Sequence, residues 1–85
     1  MDNEMTVVTV NFEKYQGGYL ATSKDIKGMF ITHRNLAKVY AAVPTAIKMF
    51  FKATFGGDFD VSEANPRLTE NPSPIGEIEF IARAA

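Results

Sequence analysis

His33 is the only histidine in the chain and cysteine is absent, so thiol nucleophiles, zinc–thiolate sites, disulfides and paired-histidine metal sites are excluded. A single imidazole beside Arg34, at the end of an extended segment, reads as a solvated or capping residue, and no G-x-S-x-G elbow accompanies it. Two-ion phosphoryl chemistry needs several carboxylates converging on metals ~4 Å apart. Glu13, Asp25, Glu77 and Glu79 come from separate segments, and outward strand carboxylates ordinarily keep a sheet face soluble. Gly17-Gly18 joins two extended segments without opening a helix, so it reads as a turn rather than a phosphate cradle. Tyr15, Tyr19 and Phe30 offer a base-stacking platform of the kind RNA-binding sheets use; core or hairpin packing is the simpler account. Met29 and Met49 fall where adaptable protein contacts can form. The expectation is a protein with no catalytic, metal or cofactor-binding residues, and no enzyme activity.

The elements that position these residues follow from periodicity. Met5–Tyr15 alternates, with Val8, Val10 and Phe12 on one face and Thr9, Asn11 and Glu13 on the other. Gln16-Gly17-Gly18 supplies the residues tolerant of positive φ that a hairpin needs, and residues 19–23 return as a second strand. Gly28 marks a turn, and residues 29–33 form a third strand. The period then changes: Leu36, Val39, Tyr40, Val43, Ala46, Ile47, Phe50 and Phe51 make an apolar helical stripe, with Lys38, Lys48 and Lys52 opposite. Asn35 is the expected N-cap and Gly56-Gly57 the stop, with Pro44 expected to kink or break the helix near Val43. Residues 58–75 carry Pro66, Pro72 and Pro74 and read as a long loop, either an ordered surface wrap anchored by Phe59, Val61 and Leu68 or a mobile segment, with a short extended stretch at 59–61. Residues 76–82 form the last strand. The fold expected is α+β, order βββαβ: a small antiparallel or mixed sheet with one amphipathic helix on one face.

With 85 residues and 46% hydrophobic content, the chain is a single domain spanning residues 1–85, with one modest core. The acidic start Met1–Met5 and the lack of a long apolar run point to a cytoplasmic protein with no membrane contact. Net charge is −1, yet residues 14–57 carry seven basic residues against Asp25 alone, while both ends are acidic. That pattern suits either internal pairing of the middle with the ends or a basic surface for an acidic partner. The balance argues against general nucleic-acid binding.

The stretch Gly17-Gly18-Tyr19-Leu20-Ala21-Thr22-Ser23-Lys24-Asp25-Ile26-Lys27-Gly28 resembles the hairpin motif of the HicB-like family, G-G-Y-x-A-x-x-P-D-(L/I/V)-P-G. Gly17, Gly18, Tyr19, Ala21, Asp25, Ile26 and Gly28 match, and the helix with its Val43-Pro44 step looks like that of a small HicB-like subgroup. The resemblance implies a partial RNase H-like βββαβ fold, with the last strand beside the first and parallel to it. It also implies an antitoxin role, in which the domain covers the active site of a small RNA-cleaving toxin of the HicA type. Lys24 and Lys27 replace the family's two prolines, and the helix carries lysines where relatives favour acids. The operator-binding segment of relatives has no counterpart, so no DNA binding by this chain alone is expected. The expected partner-binding residues are Tyr19, Lys24, Lys27, Met29, Phe30 and Ile31. A homodimer through the sheet side is expected as well, because residues 29–33 form an apolar edge and Val7 and Ile81 fit neither inward set. The competing expectation is a small RNA- or ligand-binding protein using the sheet face.

Overall fold

The computed structural model describes residues 5–64 and 75–85. Strand β1, Met5–Tyr15, buries Val8, Val10 and Phe12 on one face, as its alternation requires. It turns through Gln16 and Gly17, whose φ values of 46° and 80° are both positive, as a two-residue type I′ turn demands. The left-handed pair is therefore Gln16-Gly17, one residue earlier than the glycine pair suggested. Gly18 opens strand β2, Gly18–Ser23, which pairs antiparallel with β1 from Tyr15↔Gly18 to Val10↔Ser23.

Beyond Ser23 the ladder is continued by side chains. The Ser23 hydroxyl donates to the Thr9 carbonyl at 2.7 Å, and the Thr9 N–H donates to Asp25 Oδ2 at 2.8 Å. A second turn follows, in which the Met29 N–H donates to the Ile26 carbonyl at 3.2 Å and Gly28 takes φ 87°. Positive φ at the third position is the type II signature. Met29 belongs to this turn, so strand β3 is only Ile31–His33 rather than the five residues expected.

Helix α1 spans Leu36–Phe55. The Asn35 side chain accepts the Ala37 N–H at 2.8 Å, and the chain leaves the helix at Gly56, φ 80°. The helix runs through Pro44 without the expected break. Pro44 lacks one main-chain N–H, but Val43 and Ile47 on either side are fully buried, and packing holds the helix together there. The buried line is Val39, Val43, Ile47 and Phe51, at four-residue spacing. Phe50, expected at the centre of the stripe, lies half-buried at its flank, and Phe51 takes the inner position.

The segment after the helix departs from a simple loop. Phe59–Glu63 forms an edge strand, β4, and β5 is Gly76–Ala84. Pro66, Leu68, Pro72 and Pro74 lie outside the described residues. The sheet order is β3-β2-β1-β5-β4, and every pairing is antiparallel. The last strand does lie beside the first, but antiparallel to it, which corrects the expected parallel pairing. The extra strand is the reason: β4 takes the upward pass that follows the helix, so β5 returns in the opposite sense. The architecture is a small α+β fold with a five-stranded antiparallel sheet and one helix among the described residues.

Phe12, Phe80, Ile47, Val8, Val10, Val39 and Val43 are the largest fully buried side chains, and they sit between α1 and one face of the sheet. Tyr40 lies over Phe12 and Phe80, with ring centroids at 5.3 and 6.2 Å, and its hydroxyl donates to Glu63 Oε1. The opposite sheet face carries Met5, Val7, Thr9, Asn11, Glu13 and Tyr15 from β1. Directly paired with these are Arg83, Ile81, Glu79 and Glu77 from β5. Val7 pairs with Ile81 there, as their exclusion from the inward set requires.

Candidate functional site

The hairpin motif residues each have a position that the fold explains. Gly17 takes a backbone conformation that suits glycine. At Gly18 a Cβ atom would stand 2.7 Å from the His33 carbonyl oxygen, so glycine lets the β3–α1 corner press against β2. Ala21 is fully buried beneath the helix, and Tyr19 packs half-buried beside it. Asp25 accepts the Thr9 N–H, and Gly28 shapes the type II turn.

The expected partner-binding residues do not form one surface. Met29 is a core residue rather than an exposed one, and Ile31 and Tyr19 are half-buried on the helix side of the sheet. Lys24 and Lys27 are exposed on the turn, and Phe30 is 60% exposed on the face away from the helix. Tyr15 shares that face, and its ring meets Phe30 edge-on at 5.8 Å. Phe30 immediately precedes β3 and Tyr15 ends β1, with β2 between those strands, so the contact crosses over β2. Leu20 of β2 points to the same face and is 5% exposed. The aromatic platform thus consists of Tyr15 and Phe30; Tyr19 is on the other side.

At the opposite end of this face Met5 and Val7 are 54% and 51% exposed. A band of exposed carboxylates, Glu13, Glu77 and Glu79, lies between the two apolar ends. The lysines of the helix, Lys38, Lys48 and Lys52, are exposed on the other side of the molecule. Sequence reasoning passed over Met5, although its odd-numbered position beside Val7 and Thr9 carries the signal.

Where the hairpin turn meets the β3–α1 corner there is a concavity of about 610 Å³, lined by Tyr15, Gln16, Tyr19, Thr32, His33 and Arg34. Lys14 lines its continuation. The His33 ring is fixed by a hydrogen bond in which the Asn35 N–H donates to Nδ1 at 2.9 Å. An accepting Nδ1 leaves the proton of the neutral ring on Nε2. His33 is therefore a capping residue at the helix entry, one of the two roles expected for it. A second hollow of about 380 Å³ lies between the Ile26–Met29 turn and Ala46, Met49 and Phe50 of the helix. Met49 is 66% exposed at its rim.

Among the described residues, no three histidine, aspartate or glutamate side chains converge on a point that could hold a metal ion. No helix among them is long and apolar enough to cross a membrane. Comparison with protein families, curated proteins and solved structures finds no match to this chain.

Proposed function

We propose that this chain is a HicB-like, non-catalytic protein-binding module whose contact surface is the sheet face away from the helix. The observation that carries this reading is the exposure of Met5, Val7 and Phe30 on a face that no described element covers. Met5 and Val7 lie at one end of that face and Phe30 at the other, and exposed apolar patches of this kind mark contact surfaces. The carboxylate band between them adds a direction. A protein that cleaves RNA must present cations to the phosphate backbone, and this face offers it Glu13, two residues from Tyr15 on β1, with Glu77 and Glu79 on the neighbouring β5. Carboxylates next to aromatic rings match a surface built for phosphates next to bases. A small RNA-cleaving toxin is therefore the partner class that fits, with its active site covered in the complex.

The same face carries a place for a second copy. The β1–β2 ladder stops at Val10↔Ser23, while the β1–β5 ladder continues to Met5↔Arg83. Thr9 directs its N–H and C=O toward the side that β2 has vacated, where Asp25 and Ser23 bond them. Val7 and Met5 point the same way, because backbone direction alternates along a strand. That length of edge invites antiparallel pairing with its own copy. This moves the expected dimer contact from β3 to β1.

The test is co-purification of the tagged chain from its native host, with Phe30→Lys and Glu79→Lys beside the exposed helix control Lys48→Ala. The reading expects one small protein retained by the parent and by Lys48→Ala, lost from the face variants, and inhibited in RNA cleavage by the parent chain. Equal recovery with all variants, or a partner whose RNA cleavage is unaffected, overturns it.

A further inference from the structure

Strand β4 is one border of the sheet, and the ladder on its inner side fixes what its free side offers. The Ala85 N–H donates to the Asp58 carbonyl and the Ala64 N–H to the Glu79 carbonyl, both at 2.9 Å. In an antiparallel pair such bonds fall at every second residue, so Asp58, Asp60, Ser62 and Ala64 turn their main-chain groups to β5. Phe59, Val61 and Glu63 direct theirs the other way, and among the described residues nothing bonds them. A row of unpaired donors and acceptors is a template for another extended chain. The side chains along the edge say which chain. Phe59 faces the helix, where the Phe55 ring stands 6.3 Å away and is 66% exposed, so the helix side offers an open aromatic pair. On the outer side Asp60 is exposed. Arg83 lies directly opposite it on β5, but its guanidinium donates to Met5 Sδ at 3.0 Å instead. Asp58 and Glu63 carry the same sign, and residues 56–64 contain no base. Glu63 Oε1 accepts the Tyr40 hydroxyl, while Oε2 is shielded from water with no donor, an unfavourable state that a cation relieves. Pairing of this edge with its own copy about Val61 would crowd two sets of these three carboxylates onto one short ladder, which like-charge repulsion opposes.

We propose that β4 is a docking edge for an extended segment of a partner protein in which apolar and basic residues alternate. The segment lies antiparallel and bonds its main chain to Phe59, Val61 and Glu63. Residues opposite Phe59 and Val61 fall on the helix side, where apolar side chains meet Phe55 and Phe59. The residue opposite Asp60 falls on the outer side and brings a cation to that carboxylate. A second cation, opposite Glu63, supplies the donor that Oε2 lacks. Main-chain bonds give such a contact its affinity, and the alternating side chains give it specificity. The docking edge does not rest on the reading of the open sheet face, because the two present different groups.

The test is a two-dimensional amide NMR titration of the full chain, with hydrogen exchange, against the capped peptide Lys-Thr-Val-Lys-Val-Lys and the same peptide with glutamate for lysine. The expected result is shifts centred on residues 58–64 and a Kd of about 0.1–1 mM for the lysine peptide. The amides of Phe59, Val61 and Glu63 exchange fast in the free chain and slow when the peptide binds, whereas Asp60 and Ser62 are protected throughout. The glutamate peptide and the Asp60→Lys variant each lose about tenfold or more in affinity, since each sets like charges together. Val61→Pro removes an N–H that faces away from β5, so the ladder keeps its bonds while docking is lost. Asp60→Lys alters an exposed side chain and decides the matter even where Val61→Pro unfolds. Phe30→Lys binds the peptide as the parent does, and a loss there moves the contact to the open sheet face and overturns the proposal. Equal binding of the two peptides, binding untouched by Asp60→Lys, or no shift in residues 58–64 overturns it too. Slow exchange at Phe59, Val61 and Glu63 in the dilute free chain means that the edge is already covered. The same protection rising with protein concentration gives the edge to a second copy, and either result counts against the proposal.

Discussion

Replacing Phe51 by alanine tests the helix–sheet packing at its most informative point. Phe51 is 6% exposed, and its ring stands 5.8 Å from Phe50, 5.5 Å from Phe55 and 5.2 Å from Phe59. Truncating a buried phenylalanine costs ~3–5 kcal/mol. A domain of this length has a total stability of about 4–13 kcal/mol, so the variant loses about a quarter of it at the least and all of it at the low end of that range. Phe50 is half-buried, and its removal costs about 1–2 kcal/mol from the area it covers. Lys48→Ala changes stability by less than about 0.5 kcal/mol. Since 1 kcal/mol moves the melting point of so small a domain by about 4–8 °C, Phe51→Ala melts at least about 12 °C below the parent. The chain has no tryptophan, so the assay is far-ultraviolet circular dichroism against temperature and urea. Phe51 also holds β4 through Phe59, so amide exchange in residues 59–63 accelerates more than in β1. A Phe50→Ala loss equal to that of Phe51→Ala refutes the assignment of the inner face.

Three further outcomes follow from the same geometry. Gly18→Ala forces a Cβ against the His33 carbonyl and costs about 1–3 kcal/mol in strain; a melting curve identical to the parent contradicts the close approach. Asp25→Ala removes the acceptor for the Thr9 N–H, with a stability loss of about 0.5–1.5 kcal/mol. Its amide-exchange signature is a rise at Thr9 while Val10 stays protected, and uniform exchange across β1 counts against it. Light scattering at micromolar concentration gives about twice 9.4 kDa for the parent and a single mass for Val7→Lys; a parent monomer at all concentrations removes the dimer.

Much of this fold was legible because periodicity and turn chemistry agree. The alternation of Val8, Val10 and Phe12, the N-cap Asn35, the stop at Gly56 and the buried line from Val39 to Ile47 all appear where the pattern puts them. The misses have physical causes. Phe50 and Phe51 are adjacent on the helical stripe, and which one faces inward depends on the sheet beneath. Met29 looked like a strand residue, but the Ile26–Gly28 turn swings its side chain into the core. The extended stretch expected at 59–61 is the start of β4, but the polar residues Asp60, Ser62 and Glu63 kept it from counting as a strand of the sheet; an edge strand needs only every second residue apolar, and Phe59 and Val61 meet that need. Missing one strand reversed the direction assigned to the next. The candidate surface was less legible, because Tyr15 and Phe30 meet only once strand β2 is folded between them.

The motif that carries the resemblance and the surface proposed to carry function are largely different residues. Gly17, Gly18, Ala21, Asp25 and Gly28 are each accounted for by a turn, a close approach, a buried position or a backbone hydrogen bond. Such residues specify how a hairpin is built, so their match speaks to architecture. What a protein binds depends instead on what it leaves open, and here that includes Met5, Val7, Tyr15 and Phe30 around a carboxylate band, with Met49 and Phe55 on the helix. None of these six belongs to the motif. Two chains can therefore share this hairpin and bind unlike partners, and the substitutions that test the proposed function are those on the open face, where the fold itself asks for nothing.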